Sequence, residues 1–385
     1  MKLGILPTAK QEKLRNREMN TATTANDATA EEALKAAEKA KRQERLHTRI
    51  NKSSKYLNVA GLGWITPILK MIAGEDAKTQ GKELWRLLGV PVTAIVLFLM
   101  VWGQTAPMVK TSLGAIPGPS QVWEQTVNLY AEHVREREKE SAFYERQEKR
   151  NAAKLAKNPD AEVKVRQYTG KPTYFDQIIT SLQTVFMGFL IGSLIAVPLG
   201  VFCGLSPTVN AALNPLIQIF KPVSPLAWLP LVTMVVSALY VSDDPMFEKA
   251  FVTSAITVTL CSLWPTLINT AVGVASIDKD LMNVGRVLRL KWDTTLTKLV
   301  LPSSLPYIFT GLRLSLGVGW MVLIAAEMLA QNPGLGKFVW DEFQNGSSQS
   351  LAKIMVAVFT IGIIGFALDR VMSAMQAMFT HGEVR

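Results

Sequence analysis

Cysteine and histidine are scarce in this sequence of 385 residues. The two cysteines, Cys203 and Cys261, both fall inside apolar blocks, so they provide neither a disulfide framework nor a metal site. The three histidines, His47, His133 and His381, stand far apart in polar segments and lack metal-ligand spacing. The composition therefore argues against a disulfide-stapled secreted domain, and it predicts that no metal is bound.

Nucleotide-binding motifs are also missing. The nearest approach to the ATPase sequence G-x-x-x-x-G-K-[ST] is Gly336-Lys337, where Gln331 replaces the first glycine and Phe338 replaces the serine or threonine. The net charge of +10 comes without a basic stripe and interleaved aromatics, so nucleic-acid binding is not predicted. No apolar signal-peptide core occurs in residues 1–55, and the N-terminus is expected to stay in the cytoplasm.

What the sequence has in abundance is apolar blocks of about 20 residues, the length that spans a hydrocarbon core. They predict an all-α membrane protein with six spans. The third span is entered through the proline-broken stretch Lys221-Pro-Val-Ser-Pro225. The predicted spans are about Leu87–Met108, Ile178–Leu205, Pro222–Val241, Phe251–Val274, Tyr307–Leu329 and Ile354–Met375.

The rest of the chain divides around these spans. Residues 1–55 form a polar tail without an apolar face, and 56–86 are expected to contain a helix lying at the membrane interface. After the first span, 87–108, comes an outer segment, 109–177. It includes a densely charged insertion, 131–171, which is either a solvated helix or a disordered loop. A core with five spans, 178–375, and a short tail, 376–385, complete the chain.

Charge orients the predicted bundle. The segment 276–306 carries five Lys and Arg residues, whereas 242–250 and 331–350 carry one each. By the positive-inside bias, 276–306 and both termini face the cytoplasm of a bacterial inner membrane. This orientation puts 131–171 outside despite its many basic residues, which is tolerable because long loops weigh less in the rule.

The loop between the fourth and fifth spans is longer than a connection requires. Residues 280–288 suit a short helix, and Asp293 suits the N-cap of a second helix that Pro302 would end. Two short helices at the membrane surface would offer a docking surface to a soluble partner.

This loop resembles that of permeases in binding-protein-dependent ABC importers, whose motif is Glu-Ala-Ala, three residues, Gly, nine residues, Ile-x-Leu-Pro. Aligned on Leu299-Val-Leu301-Pro302, the first three positions are Asn283, Val284 and Gly285, and Arg289 stands at the glycine. Glycine would permit a left-handed turn there that arginine resists.

Other segments look like the nitrate, bicarbonate and cyanate branch of these permeases, with the sulfonate and taurine branch next. The resemblance covers about residues 175–375. The segments that carry it are Ser224-Pro-Leu-Ala-Trp-Leu-Pro230, Trp264-Pro-Thr-Leu-Ile-Asn-Thr-Ala-Val-Gly273, Pro306-Tyr-Ile-Phe-Thr-Gly-Leu-Arg313 and Ala325-Ala-Glu-Met328.

The resemblance implies a division of labour. A permease dimer, here expected to be a homodimer, forms the pathway in the bilayer. Separate ATPase subunits grip its loops and bind the ATP, and a periplasmic binding protein delivers the solute. The chain itself is then neither an enzyme nor a holder of cofactors. A small oxyanion, nitrate or nitrite foremost, is the expected cargo, with a sulfonate or taurine as the alternative.

Several residues within or beside the spans are candidates for the pathway, and each has a plainer interpretation. An intramembrane acid such as Glu327 marks a functional site by default, although a buried structural hydrogen bond is favoured because a carboxylate repels anions. Arg313 either attracts anions or extends its charge to the interface. Aromatic and polar groups either line the pathway or pack in the core; they are Ser224, Trp228, Thr259, Trp264, Asn269 and Trp320.

Two hypotheses of other classes compete with transport. A membrane-embedded enzyme needs converging titratable groups, and the predicted spans offer essentially Glu327 alone. A membrane scaffold would explain the charged tail but not the broken third span.

Overall fold

The computed structural model describes residues 45–51, 53–54, 57, 61–74, 76–111, 114–158, 163, 165–241 and 246–379. Most of the predicted polar tail, as well as the short tail after residue 379, lies outside these residues. The chain forms two compact units, residues 1–93 and 94–385.

The first unit contains helices α1 (Ile65–Ile72) and α2 (Ala77–Leu84), which fall in the region predicted to lie at the interface. Asp76 begins α2 by accepting hydrogen bonds from the Lys78 and Thr79 amides, both at 3.3 Å. A π-helical turn, Trp85–Gly89, continues into α3 (Val90–Thr105). The helix that carries the first span therefore runs from Ala77 to Met108, and it begins well before Leu87.

The charged insertion belongs to one long helix. A short turn (Ala106–Met108) and a hairpin of β1 (Lys110–Thr111) and β2 (Gly114–Ala115) lead to α4 (Pro119–Lys157). Pro119 suits the first turn, where its missing N–H group costs no bond. With 39 residues, α4 is about 58 Å long at 1.5 Å per residue. Over residues 131–157 the helical alternative is the observed one, whereas residues 165–171 of the same segment are irregular.

The chain returns along α4 through residues 165–170. The side chain of Gln147 donates to the Arg166 carbonyl at 3.2 Å and accepts from the Arg166 amide at 2.9 Å. The Tyr168 hydroxyl donates to Glu136 Oε1 at 2.7 Å. These bonds attach an irregular segment to a solvated helix and shape the two into a hairpin.

The remaining apolar helices form the bundle. Five helices of the described chain are long and apolar enough to cross a membrane, and a pair bent by 101° makes a sixth only if its two halves are counted as one span. The pair is α6 (Pro207–Phe220) and α7 (Pro225–Leu239), and only α7 overlaps the predicted third span Pro222–Val241. The all-α fold class is confirmed, with five or six spans by length and composition. The helices are α5 (Tyr174–Leu205), α6 (Pro207–Phe220), α7 (Pro225–Leu239), α8 (Lys249–Ala275), α11 (Leu301–Ala330) and α13 (Ser348–Phe379).

Helix α8 lies at the centre of the bundle because small residues let its neighbours approach closely. On α5 a small residue recurs every fourth position, and a Cβ on Gly188 or Gly200 would lie 2.7 Å from a backbone oxygen of α8. In the same way, a Cβ on Gly311 of α11 would lie 2.8 Å from the Thr266 Cα of α8. Such contacts drive helix association in lipid, where burial of apolar surface provides no preference between helices.

Three features differ from the sequence-based expectation. The second helix of the loop has Lys291 as its N-cap, and Asp293 lies inside that helix. Pro302 does not end a helix, because the chain is helical from Trp292 to Ala330. The short helix α10 (Trp292–Thr295) passes through a π-helical turn (Leu296–Val300) into α11, and that turn shifts the bonding pattern just before the proline. Residues 331–350, expected to be a loop, contain α12 (Leu335–Asn345).

Candidate functional site

The loop between α8 and α11 begins with helix α9 (Lys279–Val287), close to the predicted helix. Asp278 caps its start by accepting from the Asp280 amide at 2.9 Å. At its end the Arg289 amide donates to the Arg286 carbonyl and the Leu290 amide to the Gly285 carbonyl, both at 3.0 Å. This pair of bonds is a Schellman motif, which needs a left-handed residue after the helix.

Arg289 is that left-handed residue, with φ of 49°. Glycine is the usual residue here because a Cβ is crowded in this conformation. The position that the permease motif gives to glycine thus retains its turn in this chain, although arginine occupies it.

Gly285 fixes α9 against the following segment. It is buried, and a Cβ at this position would lie 2.9 Å from Leu299 Cδ1. Val300, which follows Leu299, packs in a buried cluster with Val201 and Val274. These two valines lie near the ends of α5 and α8. The loop is therefore attached to the bundle through packed side chains.

The opposite side of this loop exposes apolar side chains. Val287 is 81% exposed, Leu288 64%, Trp292 61% and Val284 52%. Asn283 and Arg289 are exposed beside them, as is Pro302. Contiguous exposed apolar groups rimmed by polar ones mark protein contacts, and we refer to residues 281–292 as the coupling surface.

Glu327 lies in a closed polar cluster at the other end of α11. Ser181 Oγ is 2.9 Å and 2.8 Å from its two carboxylate oxygens, and the Gly336 amide donates to Oε2 at 3.0 Å. Ser181 also accepts from the Leu335 amide at 2.8 Å. Glu327 and Ser181 are fully buried, so this carboxylate joins α5, α11 and α12 and does not face an open path.

Two glycines make room for that carboxylate. A Cβ on Gly334 would lie 2.1 Å from Glu327 Oε1, and one on Gly336 would lie 2.1 Å from the Ile324 carbonyl. Next to them, the buried Asn332 side chain donates to Thr184 Oγ1 at 3.1 Å. The cluster therefore favours the structural interpretation of Glu327.

Arg313 is paired. Its guanidinium meets Asp369 of α13 through two bonds, Nε to Oδ1 at 2.5 Å and a terminal nitrogen to Oδ2 at 2.8 Å. Arg370 adds a third bond to Asp369 at 2.8 Å. The expectation that the spans offer essentially one titratable group is wrong, since Asp369 lies inside the predicted sixth span.

Trp228 and Trp264 flank Phe220 at the junction of α6, α7 and α8. The ring centroid of Phe220 lies 5.7 Å from that of Trp228, and 6.5 Å from that of Trp264 in a stacked arrangement. Both indole N–H groups are buried and have no acceptor among the residues that the structure describes. An indole N–H can only donate, so any ligand meeting these groups must supply an acceptor.

The other candidates make hydrogen bonds to the protein's own backbone, two near the residue in sequence and two to another helix. Ser224 caps α7 by accepting from the Leu226 amide at 3.3 Å, and Asn269 donates to the Pro265 carbonyl one turn back at 2.8 Å. Thr259 donates to the Gly188 carbonyl of α5 at 3.0 Å. Trp320 donates to the Ile361 carbonyl of α13 at 3.0 Å.

The eight pathway candidates are therefore not brought together as one site. Trp228 and Trp264 share a cluster with Phe220, and Arg313 and Trp320 line one cavity. Glu327 and Arg313 each acquire a partner that the sequence does not indicate. Ser181 carries no local signal, because the bond to Glu327 joins positions 146 apart.

Comparison with known proteins decides the family. Residues 196–381 match the family described as "Binding-protein-dependent transport system inner membrane component". The chain is 33% identical over 307 residues to the bicarbonate transport system permease protein CmpB of Synechococcus elongatus, covering 78% of this chain and 94% of the relative. This chain belongs to that permease family.

Two further relatives of the permease carry a different substrate in their names. The nitrate import permease protein NrtB of Synechococcus elongatus is 36% identical over 197 residues, 51% of this chain and 67% of the relative. That of Leptolyngbya laminosa is 37% identical over 195 residues, 51% and 65%. The resemblance inferred from the sequence and the all-α fold class are confirmed. The permease is a multi-pass membrane transport subunit and not an enzyme.

Proposed function

We propose that this permease conducts a small inorganic oxyanion, nitrate or nitrite foremost, and that separate ATPase subunits drive it. The observation that carries the proposal is the coupling surface, where apolar side chains are exposed on a loop packed against three spanning helices. The exposed loop residues Asn283, Val284 and Arg289 contact the ATPase, and the buried Gly285 holds α9 in place behind them. Leu299, Leu301 and Pro302 transmit the movement of the ATPase to α11.

The orientation follows from charge. The loop 276–306 faces the cytoplasm, where ATP is available, and the N- and C-termini lie on the same side of an inner membrane. The hairpin of α4 then lies outside, on the side from which a periplasmic binding protein delivers the solute. A second copy of the permease completes the pathway.

An oxyanion is supported by the donors near α7. The two unpaired indole N–H groups of Trp228 and Trp264 suit an acceptor, and the carboxylates of Glu327 and Asp369 are occupied elsewhere. Few fixed charges imply weak binding, which transport requires for release. Selectivity would then lie mainly in the binding protein.

Bicarbonate is the second candidate. Its named relative matches 94% of its own length, whereas the nitrate relatives match 65% and 67%. Bicarbonate presents oxygen acceptors as nitrate does, so the indole donors do not separate the two.

The coupling role is tested by Val287→Glu, with Val165→Glu in the outer hairpin as the matched control, because the two valines are 81% and 77% exposed. We expect Val287→Glu to abolish uptake and co-purification of the ATPase while membrane yield stays normal. Normal ATPase recovery and uptake in that variant would refute the coupling surface.

The substrate is tested by uptake of labelled nitrate, nitrite, cyanate, bicarbonate and taurine in cells with and without the permease. Loss of nitrate and nitrite uptake with taurine uptake intact is expected. Loss of bicarbonate uptake alone selects the second candidate, and loss of taurine uptake alone contradicts the oxyanion assignment.

A further inference from the structure

A cavity of about 260 Å³ lies between α6 and α8, at the same end of the bundle as the coupling surface. Its α8 wall is apolar, whereas α6 contributes three amide side chains and one ammonium group. These polar residues are Asn210, Asn214, Gln218 and Lys221. We refer to this cavity as the amide vestibule.

The polar residues of α6 share one face, since positions i, i+4, i+8 and i+11 fall on the same side of a helix. An amphipathic helix at a membrane surface would turn such a face to water. Here the face borders a cavity whose other wall is Leu267, Ile268 and Ala271 of α8. Asn210, Asn214 and Gln218 are exposed at the open side of this cavity, and Gln218 donates to Asn214 Oδ1 at 3.4 Å. A ligand entering the cavity from that side would meet their polar atoms.

The charge of the vestibule has one sign. Lys221 is its single charged lining residue, and no carboxylate is among the described residues that line it. No ion pair of Lys221 occurs within the described part of the chain. Amide and ammonium N–H groups donate to oxygen, and a charged acceptor makes such bonds stronger.

The vestibule also adjoins the aromatic groups described above. Ile217 and Leu267 of its wall belong to the buried cluster that packs against Trp264. The vestibule and the Trp264 ring thus border the same buried apolar cluster. The volume accommodates a small anion with several waters, at about 30 Å³ for each water.

We propose that the amide vestibule binds a small monovalent oxyanion near the cytoplasmic end of the permease, as a weak exit site on the transport route. This inference rests on the proposed function. Three neutral amides and one partly solvated charge hold the anion without an encircling set of charges, so that it is released readily.

The test uses a reporter at the vestibule and does not depend on transport. Ala275→Cys, in the α8 wall of the vestibule, is made in a background with Cys203→Ala and Cys261→Ala, and the full chain is purified into nanodiscs of neutral phosphatidylcholine. Its thiol is modified with an anionic methanethiosulfonate reagent (sulfonatoethyl) and with a cationic one (trimethylammonioethyl). We expect Lys221→Gln to slow the anionic reagent about fivefold and to speed the cationic reagent about fivefold, so that the anionic-to-cationic rate ratio falls about 25-fold, the effect of one charge about 4 Å away in water.

Nitrate is the probe ligand. Millimolar nitrate should slow modification of the introduced thiol in the parent and in Lys221→Arg, which keeps the charge, but not in Lys221→Gln. Lys298→Gln, an exposed lysine of the loop between α8 and α11, is the matched control and should behave as the parent. Equal nitrate protection in Lys221→Gln and the parent, or no protection at all, overturns the proposal.

Two further measurements separate a lipid ligand from nitrate, and the vestibule from transport as a whole. Nanodiscs with anionic phosphatidylglycerol test whether the ligand is a lipid headgroup. If this lipid protects the introduced thiol from modification and nitrate does not, the exit site is overturned. Uptake by the same variants is measured separately in cells. Absence of nitrate uptake with nitrate protection intact contradicts the proposed function alone, whereas intact uptake without protection contradicts the vestibule alone.

Discussion

Ser181 and Glu327 are 146 positions apart in the chain, yet the Ser181 hydroxyl lies 2.9 Å and 2.8 Å from the two oxygens of the Glu327 carboxylate. Because Ser181 also accepts from the Leu335 amide, and Glu327 from the Gly336 amide, the pair joins three helices at one end of the bundle. A buried group of this kind costs free energy once its partner is removed.

Glu327→Ala should therefore destabilise the permease by about 1–3 kcal/mol, since it leaves the Ser181 hydroxyl and the Gly336 amide without an acceptor. Glu327→Gln keeps an amide oxygen in place and should lose less. Thermal unfolding in detergent measures both changes. Glu138→Ala, on the exposed part of α4, is the control, and equal stability of Glu327→Ala and the control would show that the cluster contributes nothing.

The contact between α5 and α8 gives a second expectation. A Cβ on Gly200 would lie 2.6 Å from Thr270 Cβ and 2.7 Å from the Leu267 carbonyl. Gly200→Ala should force the helices apart and cost about 1–3 kcal/mol. Gly317→Ala is the matched control, because no atom lies within 4 Å of a Cβ there.

Thermal unfolding and the monodispersity of the purified protein check this expectation. A normal melting temperature for Gly200→Ala would mean that α5 and α8 separate without cost. A fall for Gly317→Ala as large as that for Gly200→Ala would instead attribute the effect to loss of glycine itself.

Much of the fold could be predicted because apolar blocks of spanning length are a local property. The ends of α8, Lys249 and Ala275, fall close to the predicted span Phe251–Val274. Helix α12 escaped prediction although its sequence carries the signal: Leu335, Phe338, Val339 and Phe343 recur with the spacing of one helix face. Pro302 is a plausible helix end in sequence terms, because the compensating π-helical turn has no sequence signature of its own.

The candidate site could be predicted less well from the sequence, because its contacts join helices that are distant in the chain. Intramembrane Glu327 and Arg313 are recognisable as unusual residues, but their partners Ser181 and Asp369 come from helices whose neighbours are set by packing. Small residues recur at every fourth position of α5 in the sequence, and this spacing identifies the face of α5 that contacts α8.

Arg289 provides a third expectation. Its φ of 49° costs a residue with a Cβ about 1 kcal/mol. Glycine avoids this cost, but it loses more conformational freedom on folding, which offsets part of the stabilisation. Arg289→Gly should keep or raise the stability of the turn, whereas Arg289→Val should lower it, because a branched side chain suits φ > 0 worst.

Hydrogen exchange of the Leu290 amide, which donates to the Gly285 carbonyl, measures that stability. Arg286→Gly, one turn earlier and inside α9, is the control and should cost about 1 kcal/mol. Preserved exchange protection in Arg289→Gly together with lost ATPase coupling would mean that the arginine contacts the ATPase directly.

The outer hairpin supplies the last expectation, a dependence on pH. The Tyr168 hydroxyl, followed by Lys139, holds the pKa of Glu136 below its ordinary value of 4.5. A lowered pKa means that folding favours the ionised form, so this contribution is present above pH 4.5 and is lost as the pH falls through the lowered pKa. The amide of Tyr168 donates to the Tyr144 hydroxyl at 3.2 Å, and its exchange protection factor reports whether the return segment stays attached.

We therefore expect the protection factor of Tyr168 to be constant from pH 7 to about pH 5 and to fall below pH 4.5, as protonation of Glu136 weakens its bond to the tyrosine. Glu136→Gln should show lower protection at pH 7 and little further change on acidification, because no carboxylate remains to titrate. Glu138→Gln, two residues along the exposed helix, should reproduce the parent profile. If Glu136→Gln kept the full fall below pH 4.5, another carboxylate would have to control the hairpin, and the bond between Glu136 and Tyr168 would be incidental to it.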